Sequence, residues 1–426
     1  MTTPRFRPAW HDISPYLDGV YLAVNALPDT WLVYDAHSCG YQKAEKIAGN
    51  HDLLSDLVRW DRMNRVVRTD LDSREYVMGS EDKLSKKILQ VWTRYGPTAI
   101  VVVRSPVVIT QGHDARPVLK DLAKKVGAPL LLVPDKQRAP DHVAGYLAAL
   151  EQILGAVTCD GPPVPRSVAV VGHLFDRHEG DQRGNAAELR RLVSLAGGIP
   201  GPVFLDGRPL AAYAGAPPPS VVVDLGTDWR GGEDLAARHG ATHLPLPLPL
   251  GIDGTTAWVR ALSAALDAEA PGLDAEEIGP LARDLEWVLP RHLHGARAMV
   301  FADHQLLGPL VAFLREVGVR VTGIGCTTGP ARVPRDLTPG LPHAPPGTDA
   351  LTALVTEARG NGDLDVVIGN GFIRQLVAPA GVPVVELGYP SPTRHALHDA
   401  PFLGYRGVRV LTERLINALA AAPREV

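Results

Sequence analysis

The sequence predicts an α/β fold with three doubly wound, Rossmann-like parallel-sheet domains around a central cleft. Three observations predict it. Short β-branched runs recur along the chain, and most are continuous rather than alternating, as in parallel strands buried on both faces. Helical patterns lie between those runs, so the chain reads as repeated βα units. Gly/Pro clusters divide the series, and 426 residues suffice for two to three cores.

In chain order, strands are expected at Trp31–Tyr34, Ala99–Val103, Pro129–Val133, Ser167–Val171, Val221–Asp224, Arg297–Phe301, Val319–Gly323, Leu364–Gly369 and Val382–Glu386. Helices are expected at Lys83–Tyr95, Val143–Leu154, Ala186–Ala196, Thr256–Leu266 and Leu307–Val317. The Gly/Pro-rich stretch from residue 160 to 165 separates a first domain (1–163) from a second (164–270). A helical segment from 271 to 297 leads into a third (271–426), which carries a Pro-rich loop at 339–346 and ends in a helix.

Composition bounds the function. Apolar residues make up 45% and charged residues 21%, an ordinary globular balance, and a net charge of −4 argues against a nucleic-acid partner. Three distant cysteines, Cys39, Cys159 and Cys326, with no CxxC pair, argue against a disulfide framework and against a self-contained zinc or iron–sulfur site. With no signal-like start and no apolar run of about 18 residues, neither secretion nor a membrane is expected, and the expected location is the cytoplasm. The chain lacks GxxxxGK[ST], GxGxxG after a strand, GxSxG and HExxH, so nucleotide-cradling, dinucleotide, serine-hydrolase and zincin chemistry lose their usual signatures.

Polar residues at strand ends remain, where open α/β sheets collect ligands. The first domain offers Asp35, His37, Cys39, Arg104, Ser105, Gln111, His113 and Asp114. Cys39 lies between an apolar run and the helix-like 42–47 stretch, a strand-to-helix turn where amide donors and the helix dipole favour thiolate. A lone cysteine is more often a small inert hydrophobe, and Cys159 and Cys326 are read as structural in that way. The second domain offers His173, Asp176, Arg177, His178 and Asp224, and the third Asp303, His304, Asn370 and Glu386. Histidines at strand ends are more often structural than catalytic. Asn370-Gly371 reads as a helix cap with a glycine turn.

Several segments together resemble the component-1 superfamily of nitrogenase-like proteins. They are Tyr34-Asp-Ala-His-Ser-Cys39-Gly, the acidic stretch from Thr69 into Gly79-Ser80-Glu81-Asp82-Lys83-Leu84, Ile100 to Asp114, Leu364 to Asn370, Gly381 to Pro390 and Gly404-Tyr-Arg-Gly407. That superfamily includes nitrogenase molybdenum–iron subunits, cofactor-scaffold subunits and protochlorophyllide and chlorophyllide reductase subunits. The resemblance implies that Cys39 is a metal ligand of a 4Fe–4S-type cluster shared between subunits. The other two cysteine positions fall near Ser14 to Asp18 and at Ser105, so Ser14, Asp18 and Ser105 are the remaining cluster-side candidates. The partners it implies are a sister subunit or a second copy, and a P-loop iron–sulfur reductase that uses ATP. A small-molecule substrate would be reduced with His173, Asp176, His178, His304 or Glu386 as proton donors.

The active-site cofactor ligands of true nitrogenase fall near Asp224–Gly226 and Glu386–Gly388, where this chain has neither cysteine nor histidine, so dinitrogen reduction is not expected. Two alternatives stay open: a non-catalytic scaffold or partner subunit that completes a sister chain's cluster, and a metal-free α/β binding protein or transferase.

Overall fold

The computed structural model describes residues 15–37, 41–58, 64–110, 112, 114–134, 141–159, 161–269, 272–334, 337, 340–345 and 347–421. Twelve strands among them form three four-stranded sheets. The first comprises β1 (Thr30–Asp35), β2 (Val66–Arg68), β3 (Ala99–Arg104) and β4 (Leu130–Leu132), in the order β2-β1-β3-β4. The second comprises β5 (Ser167–Val171), β6 (Ile199–Val203), β7 (Val221–Asp224) and β8 (Thr242–Pro245), in the order β6-β5-β7-β8. The third comprises β9 (Arg297–Ala302), β10 (Arg320–Cys326), β11 (Val366–Gly369) and β12 (Val384–Glu386), in the order β10-β9-β11-β12. All three sheets are parallel, and β1 and β3 run in register from Thr30↔Ala99 to Asp35↔Arg104.

All nine expected strands form. The three unexpected ones, β2, β6 and β8, are edge strands. β6 contains Pro200 and Pro202 and β8 ends on Pro245, residues tolerated where no further ladder bond is needed. β2 is only three residues long. The expected helices also form, most starting a turn or so earlier than their apolar periodicity: Glu81–Tyr95, His142–Ala156, Gly180–Leu195, Gly251–Ala265 and His304–Glu316. The 271–297 region is helical in three short pieces, Asp274–Ile278, Gly279–Leu285 and Val288–His292, rather than one helix.

By compactness the chain divides into two units. One is residues 15–182 with 201–243; the other is 183–200 with 244–426. In the first unit, every residue of β1 and β3 is buried, so helices cover both faces of the sheet. Trp31, Val33, Ile100 and Val102 pack on one face against Leu84, Ile88 and Val91 of the Glu81–Tyr95 helix. The helix Tyr16–Asn25 was not marked by the sequence, because it is apolar nearly all round and has no stripe. It packs against His142–Ala156 through Gly19 and Gly145, each meeting the other helix's backbone directly. Its C-terminal end is closed by buried Arg65, whose guanidinium donates to the carbonyls of Val24, Leu27 and Thr30 at 3.0, 2.9 and 2.6 Å. In the second unit, Met299, Phe301 and Val367 pack against Leu351, Val355, Ile373 and Val377.

Candidate functional site

The carboxyl end of the first sheet is organised by Asp35, the last residue of β1, which is fully buried. Its carboxylate accepts from Thr69 Oγ1 at 2.9 Å and Ser80 Oγ at 2.6 Å, with Arg104 Nε at 3.8 Å. Its backbone carbonyl accepts from Ser105 N at 3.1 Å. Burial pushes the Asp35 carboxyl up; the two hydroxyls and Arg104 oppose that. One side chain thus ties together the end of β1, the segment after β2, the start of the Glu81–Tyr95 helix and the end of β3. Ser105 Oγ receives Val108 N at 3.4 Å, inside the Pro106–Thr110 helix.

Asp18 lies on the Tyr16–Asn25 helix, 2% exposed, with Lys43 Nζ 2.7 Å from its Oδ1. Lys43 and Arg104 both line a cavity of about 260 Å³, together with Tyr16, Tyr34, Val103 and Ile109. The surroundings of Asp18 and Ser105 therefore meet at one cavity. Cys39 and Ser14 lie outside the described residues, as do Gln111 and His113. Among the described residues no group of three or more His, Cys, Asp or Glu converges as a metal site.

His173, Asp176 and His178 follow β5 and enter a buried polar network. Asp176 Oδ1 accepts from Gln182 Nε2 at 2.6 Å, and His51 Nε2 lies 3.1 Å from the Asp176 carbonyl and 3.6 Å from Oδ2. Burial pushes the Asp176 carboxyl up to about 7, against the lowering pull of Arg177. Burial also holds the His173 imidazole down to about 4, and its Nε2 has no hydrogen-bond partner among the described residues. His178 donates its amide to Asp52 Oδ2 at 3.0 Å, and its Nε2 sits 2.8 Å from the Asn25 carbonyl. Arg177 is clamped by Asp181 with Glu179 3.6 Å away. The pattern is that of a cross-link between distant segments, with its polar groups largely committed.

In the other unit, His304 follows the cap residue Asp303, and its Nδ1 is 2.8 Å from Thr328 Oγ1, which also contacts Cys326 Sγ at 3.1 Å. Glu386 is buried and accepts from Ser391 Oγ at 2.8 Å, Thr393 N at 3.0 Å and Thr393 Oγ1. Asn370 caps its helix through Ile373 N, as expected. Asp224, in the first unit, is engaged by Gly226 N, Trp229 Nε1 and His243 Nε2 at 2.9, 2.9 and 3.0 Å. The sequence marked Asp35 but not its partners Thr69 and Ser80, nor Lys43, since ordinary hydroxyls and lysines carry no signal of burial or pairing.

Residues 17–420 match the family model described as nitrogenase component 1 type oxidoreductase. The chain belongs to that family. Its relatives include the nitrogenase molybdenum–iron protein beta chain of Bradyrhizobium diazoefficiens, 25% identical over 78% of this chain and 70% of that one. The beta chain of Frankia alni is 26% identical over 65% of this chain and 58% of its own length. A solved structure titled nitrogenase Cp1 at pH 6.5 superposes with a TM-score of 0.77 at 17% identity, covering 99% of this chain and 94% of that one, which establishes a shared fold.

Of the cluster-side candidates, the described ones are oxygen donors already engaged, Asp18 by Lys43 and Ser105 by Val108 N. Cys39, the one cysteine among those candidates, lies outside the described residues. No described helix is long and apolar enough to cross a membrane.

Proposed function

We propose that this chain is a subunit of a nitrogenase-like reductase complex that contributes Cys39 to an iron–sulfur cluster completed by a sister chain or a second copy. A separate P-loop reductase would deliver electrons at the cost of ATP, since this chain has no Walker motif of its own. When bound, the cluster would supply one-electron transfer. Asp35 carries the reading: its buried carboxylate ties the ends of β1 and β3 to Thr69 and Ser80, and Cys39 follows β1 by four residues. A rigid first-sheet end suits a ligand that must meet one from another chain.

One observation favours the partner-subunit form of this reading over a catalytic one. Asp176, His178 and Glu386 are held by hydrogen bonds to neighbouring segments, and His173 is kept neutral by burial. A proton donor needs reach to substrate, and these groups serve their own fold. The lack of cysteine or histidine at Asp224–Gly226 and Glu386–Gly388 supports a role other than dinitrogen reduction.

The test is anaerobic purification alone and co-expressed with neighbouring genes, with iron and sulfide assayed. Iron present in the complex and lost in Cys39→Ala, with the circular dichroism unchanged, is the expected result. A colourless complex, or iron unaffected by Cys39→Ala, refutes the ligand assignment and leaves a metal-free binding protein.

A further inference from the structure

The helix Tyr41–Lys46 runs on into a π-helical turn, Ile47–His51, and the chain beyond that turn rests on the loop after β5. His51 Nε2 lies 3.1 Å from the Asp176 carbonyl, His178 N donates to Asp52 Oδ2 at 3.0 Å, and Leu53 N donates to Glu179 Oε1 at 3.2 Å. A carbonyl only accepts, so His51 Nε2 carries its hydrogen there. Leu53 and Leu54 at the tip are 52% and 48% exposed, so polar bonds rather than apolar burial hold the tip down.

Four carboxyl groups gather at this contact, Asp52, Asp176, Glu179 and Asp181, all buried. Arg177 answers two of them, clamped by Asp181 and 3.6 Å from Glu179. Asp52 accepts from Asn25 Nδ2 at 2.8 Å and from the amides of Leu54 and His178, donors that suit an ionised carboxylate. Asp176 has weaker support: Gln182 Nε2 at 2.6 Å from Oδ1, and His51 Nε2 at 3.6 Å from Oδ2. Asp52 and Asp181 face it as like charges and Arg177 as the opposing one, Tyr146 adjoins it from the His142–Ala156 helix, and Gln182 also touches His173. With Arg177 already shared by two carboxylates, a further buried negative charge is costly, and Asp176 is the carboxyl that keeps its proton. Burial accordingly pushes it up to about 7.

We propose that this contact is a latch held by the proton on Asp176: while the carboxyl is neutral the 47–58 segment stays on the loop after β5, and ionisation of the group in water favours the lifted segment. Lifting wets Asp176 and returns it towards its ordinary 3.8, so each pH unit between about 4 and 7 favours the lifted state by up to about tenfold, and the gain levels off above 7. The latch uses none of the cluster-side residues, so it stands or falls apart from whether Cys39 holds a metal.

Hydrogen–deuterium exchange of the full chain from about pH 5 to pH 8, corrected for the intrinsic exchange rate, tests it. Protection of peptides covering residues 47–58 and 173–182 should fall about tenfold or more between pH 5 and pH 7 and then level off, while peptides from β1 and β3 keep theirs. Asp176→Asn should flatten that profile. His51→Gln, which keeps a donor for the Asp176 carbonyl, should leave the pH dependence in place. Flat protection in the parent protein, an equal fall in β1 and β3, a pH dependence that survives in Asp176→Asn, or one that vanishes in His51→Gln each overturns the latch.

Discussion

Replacing Gly19 or Gly145 by alanine should weaken the protein although both lie in helices, where alanine is normally the better residue. A Cβ on Gly19 would sit 2.7 Å from the His142 carbonyl carbon and 2.5 Å from Tyr146 N. A Cβ on Gly145 would sit 2.7 Å from the Tyr16 carbonyl carbon. The carbonyl oxygens of His142 and Tyr16 would lie closer still, and since such contacts need about 3.2 Å or more, the helices would have to part by more than about 1 Å. The obstacle is backbone on both sides, and no rotamer change relieves it. Overpacking of this kind costs ~1–3 kcal/mol, here at the upper end, and helix propensity returns about 1 kcal/mol. The net expectation is a loss of about 2 kcal/mol, or ~4–8 °C in melting temperature. Gly155→Ala is the control: it lies in the same helix as Gly145 with nothing within 4 Å of its Cβ, and should gain roughly 0.5–1 kcal/mol. Thermal and urea unfolding measure all three. Gly19→Ala and Gly145→Ala behaving like Gly155→Ala would refute the close-packed helix pair.

The buried network after β5 should leave a pH signature. Asp176 is raised from 3.8 to about 7, so the folded state holds its proton more tightly than the unfolded chain and stability falls as pH rises through that window. Asp176→Asn keeps an acceptor for Gln182 and should gain on the parent protein by about 1–3 kcal/mol between pH 4 and pH 7 in urea unfolding; parallel curves would dismiss the buried carboxyl. His173 has the opposite sign. Lowered from 6.5 to about 4, it takes its proton first in the unfolded chain, so stability falls as pH drops through that window, and His173→Gln should narrow the acid loss. Glu386→Gln replaces one accepting oxygen by an NH2, which must face either Ser391 Oγ with Thr393 N or Thr393 Oγ1, and should cost about 1–3 kcal/mol; a neutral effect on melting would remove the carboxylate from its structural role.

Much of the architecture follows from local pattern. β1, β3, β5, β7, β9 and β11 are central strands, and a strand buried on both faces must be a continuous apolar run, which is visible residue by residue. Edge strands are not held to that rule. Ile199-Pro-Gly-Pro-Val203 and Thr242-His-Leu-Pro245 read as loops until a neighbouring strand pairs with them. The Tyr16–Asn25 helix escaped for the converse reason, since burial all round erases the stripe that marks a helix.

For the site, the sequence by itself determined which chemical groups stand at strand ends, because the order of βα units puts loops there. It marked Asp35, Asp176, His178 and Glu386, and its motif order led to the family that residues 17–420 match. Only the tertiary structure decided what those groups are engaged with. Thr69 and Ser80 reach Asp35 across 34 and 45 residues, Asn25 reaches His178 across 153, and Lys43 reaches Asp18 across 25. Hydrogen-bond partnership depends on distances of about 3 Å between segments far apart in the chain. No local pattern encodes such distances; they are set when the sheets and helices pack.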